Sequence, residues 1–133
     1  MVLAILGVIS AIGVVSYSSY VDSTKRKSAE NIMRQVSLGQ TEYYSENSVY
    51  STSGSTCTAT VATSQAIETN LLGGSQIIID ANSTSTPKKS KSGYLICTQD
   101  HTSGYAVKAV DENNSSGCTM TLTASSSFTR TNC

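Results

Sequence analysis

The sequence predicts an α+β fold: a long N-terminal helix followed by a polar body built on roughly four antiparallel strands. Three observations predict it. No charged side chain occurs before Asp22, although only 38% of the 133 residues are hydrophobic. Apolar positions then recur at spacings of three and four to about residue 44, with no Pro or Gly-Gly break. Beyond residue 75 the pattern changes to short β-rich runs separated by Gly, Asn and Ser turns.

The helix divides in two. Residues 1–21, MVLAILGVISAIGVVSYSSYV, are apolar all round and as a helix measure about 31 Å, the thickness of a bilayer's hydrocarbon core. A cleavable signal peptide would start with a basic region, which this run lacks. Small residues are scattered through it: Ala4, Gly7, Ser10, Ala11 and Gly13. Gly7 and Ala11 form a small-xxx-small pair, the spacing that lets helix backbones approach closely, and the five are the predicted helix-packing residues. Residues 22–46 are amphipathic. Ala29, Ile32, Met33, Val36, Gln40 and Tyr43 mark one face, while Lys25, Arg26, Lys27, Glu30 and Arg34 take much of the rest. The apolar half is expected to protrude and the amphipathic half to lie on the body. The whole helix would be nearly 70 Å long, by the rise of about 1.5 Å per residue.

Residues 47–74 read as a connecting loop that contains a short helix, with Val61, Ala66, Ile67 and Leu71 at near-helical spacing and Gly73-Gly74 as the stop. Four strand-like runs follow: QIIID (76–80), GYLICTQ (93–99), GYAVKAV (104–110) and CTMTLTA (118–124). The short gaps before Gly104 and Cys118 predict an antiparallel meander. Ser and Thr make up about 30% of the chain, and there is one Phe and no Trp, so the body can bury only a modest core. Cys57, Cys97, Cys118 and Cys133 lack CxxC spacing. They therefore read as disulfides in an oxidising compartment rather than as a metal or redox site. Three pairings are open to them. Formal net charge is zero, so no overall field draws the chain to nucleic acid or acidic membranes.

Those cysteines conflict with a plain membrane anchor. Lys25, Arg26 and Lys27 just beyond the apolar run would hold that end in the cytoplasm, whereas disulfides place it outside. A basic leader ahead of this sequence, removed by processing, reconciles the two.

Little else points to chemistry. His101 is the one histidine and sits in the turn DHTSG; HExxH, GxSxG and P-loop patterns are absent. We expect no enzyme, no catalytic residue, no metal and no cofactor. Asp111-Glu112-Asn113-Asn114 reads as a turn, because its spacing does not match an EF-hand. Lys88, Lys89 and Lys91 form the densest exposed charge; a solvated loop tip is the simpler reading, and phosphate contact with DNA the sharper one. Tyr17, Tyr20, Tyr43, Tyr44 and Tyr50 suit helix contacts better than an electron path. Asn82-Ser83-Thr84 and Asn114-Ser115-Ser116 fit a glycosylation pattern.

VLAILGVISAIGVVSYSSYVDSTKRKSAENIMRQVSLGQTEYYSENSVY resembles the N-terminal helix of type IV pilins and pseudopilins. The resemblance is carried by the Ala-Ile-Leu-Gly core (4–7), the Tyr17/Tyr20 pair, the basic cluster after it and the Tyr43-Tyr44 to Tyr50 passage, and it covers roughly the first 50 residues. About seven family residues ahead of that core have no counterpart, the family's buried glutamate among them, and Val15 stands where many members have a helix-kinking proline. The resemblance implies a prepilin-type leader, a helix packed on an antiparallel sheet, and a C-terminal loop (118–133) closed by Cys118–Cys133, with Cys57–Cys97 tying the loop after the helix to a central strand. It also implies a structural pilus subunit serving adhesion, surface motility or DNA uptake. The subunit would wait in the bacterial inner membrane and then join an extracellular fibre of identical copies, alongside minor pilins and inner-membrane assembly machinery. A secretion-system pseudopilin, or a minor pilin binding DNA or another ligand at the tip, is the alternative within the same resemblance.

Overall fold

The computed structural model describes residues 2–133; Met1, counted in the predicted apolar segment, lies outside the described residues. Helix α1 runs unbroken over Val2–Asn47 and measures about 69 Å at 1.5 Å per residue. Helix α2 spans Val61–Leu71. Strands β1 (Tyr94–His101), β2 (Gly104–Asp111), β3 (Thr119–Thr123) and β4 (Phe128–Thr131) form one antiparallel sheet in the order β1-β2-β3-β4.

The core lies between the second half of α1 and the sheet. Ala29, Met33 and Val36 are fully buried and Ile32 nearly so, which is the face their spacing predicts. They cluster with Ile96 of β1, Val107 and Ala109 of β2 and Met120 of β3. Register brings three of these into one row, Ile96 opposite Ala109 and Ala109 opposite Met120. Ala109 in the middle strand and Met33 of α1 are both fully buried in this cluster, and a dense core is built from such large and small side chains together.

Two polar residues of α1 are committed to that interface. Gln40 is fully buried; its Nε2 donates to Ser51 O (2.6 Å) and its Oε1 accepts from Ser51 N (2.9 Å), so it pins the chain leaving the helix. Glu30, expected on the polar face, is only 9% exposed and forms an ion pair with Arg130 of β4. Burial of a carboxylate needs such a partner.

Sheet membership differs from expectation at both ends. The run 76–80 is not a sheet strand. Ile78 and Ile79 are buried, yet both N–H groups donate to Glu68 Oε1, at 2.6 and 2.9 Å, and Ile79 makes a single bridge to Ser90. The outer edge of β1 is already taken as well. Ser53 N donates to Thr98 O (2.9 Å), Asp100 N donates to Gly54 O (2.7 Å), and Ser64 Oγ both accepts from Ile96 N (2.9 Å) and donates to Ile96 O (3.1 Å). The fourth strand is instead FTRT, within the C-terminal segment expected to be only a loop. In α2 the buried face is Ser64, Ile67, Glu68 and Leu71, and Ala66, expected inside, faces solvent. Thr60 caps this helix with a reciprocal bond to Thr63.

Both disulfides match the pairing implied by the pilin resemblance. Cys57–Cys97 joins the loop before α2 to β1 (Cα–Cα 6.0 Å), and Cys118–Cys133 closes the β3–β4 hairpin (Cα–Cα 4.4 Å). With sequence separations of 40 and 15, they limit the unfolded chain by about 4 and about 3 kcal/mol on the loop-entropy estimate.

Candidate assembly surfaces

From Leu3 to Tyr20 every described side chain of α1 is exposed. Leu3, Ile5, Leu6, Val8, Ile9, Ile12 and Val14 all stand more than half exposed, and the segment has the length and apolarity of a membrane span. At about 100° per residue, Ala4, Gly7 and Ala11 fall on one face, Ser10 borders it, and Gly13 stands on the far side. Thus the helix brings three of the five predicted packing residues together. A Cβ added at Gly7 or Gly13 would meet nothing within 4 Å apart from the helix's own adjoining backbone. Ser10 Oγ donates to Leu6 O (2.7 Å), so this hydroxyl is satisfied inside the helix and makes no demand on an apolar neighbour.

At the base of the head, the C-terminal segment is tied to α1. Arg26 Nη1 donates to Cys133 O (2.9 Å), and Arg130 pairs with Glu30, which also receives Lys27 at 3.8 Å. Beside them a polar cleft of about 240 Å³ is lined by Asp22, Lys25, Arg26, Tyr94 and Asp111. Burial pushes the Tyr94 phenol above its ordinary value, the Asp111 carboxylate adds to this, and the Arg26 guanidinium opposes it. Sequence reasoning placed Arg26 and Glu30 on a merely solvated face. Their partners lie 107 and 100 residues away, and no local spacing signals such a tie.

Lys88, Lys89 and Lys91 share one exposed loop. Lys88 Nζ donates to Ala81 O (3.3 Å) and Lys91 Nζ to Gln76 O (2.6 Å), both within that loop's own stem. His101, expected in a turn, is the last residue of β1, with its Nδ1 2.8 Å from Ser103 Oγ in the turn that follows. In the 111–114 turn, Asp111 Oδ1 accepts from Asn113 N (2.8 Å) and Glu112 Oε2 from Ser90 N (3.1 Å). Among the described residues, no three His, Cys, Asp or Glu side chains gather closely enough to hold a metal ion. Tyr43 and Tyr94 pack in or against the core, and the other tyrosines fall into two groups. Tyr44 stacks on Tyr50 (centroids 4.5 Å apart), which tilts against Tyr105 (4.9 Å). Tyr17 and Tyr20 lie on the bare part of the helix, and Tyr20 is about 36 Å below Tyr44 by helical rise.

Comparison with known protein families, curated proteins and solved structures finds no match for this chain, so the fold and its surfaces carry the functional argument. They define a class of molecule: a disulfide-tied α+β head on a bare apolar helix long enough to cross a bilayer.

Proposed function

We propose that this chain is a structural subunit of a filament of the type IV pilin kind, held in a membrane by the first half of α1 until it assembles with copies of itself. The observation that supports this is the bare apolar half-helix. Seven large aliphatic side chains there are exposed, and leaving them in water costs on the order of 10 kcal/mol. A bilayer removes that cost, and so does a bundle of identical helices. Exchange between the two is feasible because both surroundings are apolar, and the preference for the bundle then comes from close packing at Gly7 and Ala11. The head, rich in Ser and Thr and tied by two disulfides, suits the outside of a fibre in an oxidising environment. Its role is mechanical and adhesive rather than catalytic.

Electron microscopy of material sheared from cells expressing the chain, with mass spectrometry of the fibre protein, tests the reading. Long fibres composed of this chain alone are expected. Short fibres, or fibres containing it only as a trace component, would overturn the major-subunit reading in favour of a pseudopilin or a tip subunit.

A further inference from the structure

We propose that the head carries its own head-to-tail contact: an acidic groove at the far end of α1 receives the lysine loop of a neighbouring copy. This rests on the filament reading above and names the surfaces by which heads would join.

The formal net charge of zero leaves two local concentrations of like charge, Glu42 and Glu46 on the last turns of α1 and Lys88, Lys89 and Lys91 on one loop. Strand β1 starts at Tyr94, beside Arg26 and Asp22 at the base, and ends at His101, next to the chain that follows α1. Glu42 and Glu46 therefore lie at the end far from the bare helix. Lys25, Lys27 and the 88–91 loop lie toward the base, where Gly93 abuts Lys25 and Ser90 bonds Glu112. Among the described residues the ion pairs all involve Glu30, and none engages Glu42, Glu46, Lys88, Lys89 or Lys91.

The two surfaces also match in shape and polarity. A groove of about 520 Å³ runs between α1 and the end of α2, lined by Leu38, Gly39, Tyr43 and Leu72 with Glu42 and Glu46 on its rim. Leu38 is 72% exposed, the most exposed large apolar side chain of the head. Elsewhere on the head, exposed Pro87 is followed by exposed Lys88 and Lys89. An apolar centre with two carboxylates thus faces an apolar tip with two ammonium groups. The loop is held ready: Asp80 N donates to Lys89 O (2.9 Å), Lys91 N to Ile78 O (2.8 Å) and Asn82 N to Asp80 Oδ1 (3.0 Å). Little ordering remains to be done on contact. Groove and loop are different patches of one chain, so a head-to-tail pairing of them continues from copy to copy wherever its rotation does not close a ring.

Charge reversal in the full chain tests it. Glu42→Lys with Glu46→Lys, and separately Lys88→Glu with Lys89→Glu, change side chains that are exposed in the folded head. Each pair is expected to lower fibre yield, normalised to the membrane pool, by about tenfold, and the four changes together to restore most of it. Wild-type yield in both single pairs, or no recovery in the combination, would overturn the contact while leaving the filament reading intact. If wild-type cells make no fibres, the filament reading fails and the contact is still readable. Detergent-solubilised chains mixed from light- and heavy-nitrogen cultures are then coupled with a carbodiimide. Mixed-isotope peptides joining Lys88 or Lys89 to Glu42 or Glu46 support the contact; their absence overturns it.

Discussion

At Glu68 a carboxylate only 5% exposed accepts from two consecutive backbone N–H groups, those of Ile78 and Ile79. Those donors would otherwise serve a strand, and the QIIID run turns aside because of them. Glu68→Ala leaves both buried without an acceptor and should cost about 2–4 kcal/mol, read as a lower urea midpoint for the chain in detergent. Glu68→Gln keeps one acceptor oxygen and should cost less; equal stability of both variants with wild type would remove this account of the turn. The spacing of Ser64, Ile67, Glu68 and Leu71 is that of one helix face, so a signal was present in the sequence. Polarity masked it, because Ser and Glu in a Ser-rich helix ordinarily point to water. Gln40 was legible as a member of the buried face through its spacing with Val36 and Tyr43. Its bonds to Ser51 were not, since nothing local marks which loop atom a buried amide will meet.

Among the elements, α1 was the most legible, because an uncharged run followed by a three-four repeat allows one interpretation at that length. Strand β4 was the least. Phe128 is half-buried and Thr129, Arg130 and Thr131 are exposed, so the run shows no alternation; the closure of the hairpin by Cys118–Cys133 and the pairing of Arg130 with Glu30 hold it in place instead. The two halves of α1 also divide the consequences of mutation. Gly39 meets the backbone of Leu71, where an added Cβ would collide with the carbonyl oxygen, whereas one added at Gly7 would meet nothing within 4 Å apart from the helix's own adjoining backbone. Gly7→Leu or Ala11→Leu should therefore leave folding and membrane insertion unchanged, since Leu is favourable in lipid. Close approach of neighbouring helices should fail, so membrane-fraction immunoblots would show normal or raised subunit while sheared fibres are lost. Normal fibre yield in either variant would argue against a core packed through that face.

At the scale of the whole molecule, a rod about 69 Å long must fit beside its copies while its head stays clamped. In the single chain α1 is continuous from Val2 to Asn47. Its head half is held at Ala29, Met33, Val36 and Gln40 by full burial and at Gly39 by Leu71, so bending there would disrupt the core. The bare half has no such hold and gathers weak helix formers. Gly7 and Gly13 each cost about 1 kcal/mol relative to Ala in a helix interior. Val8, Ile9, Val14 and Val15 are β-branched, and Ser10 already competes for the carbonyl of Leu6. In lipid this stretch must stay helical, because an unpaired backbone group finds no water there. In a fibre, neighbouring helices could shelter a few extended residues. We predict that any non-helical break in the assembled form falls between residues 7 and 16, with residues 18–43 helical as in the single chain. With valine at position 15, the stretch lacks a helix-breaking proline, so a complete melt is less favoured. A filament structure with α1 unbroken from residue 2 to 43, or broken near Gly39, would show that the balance of propensity and packing lies elsewhere.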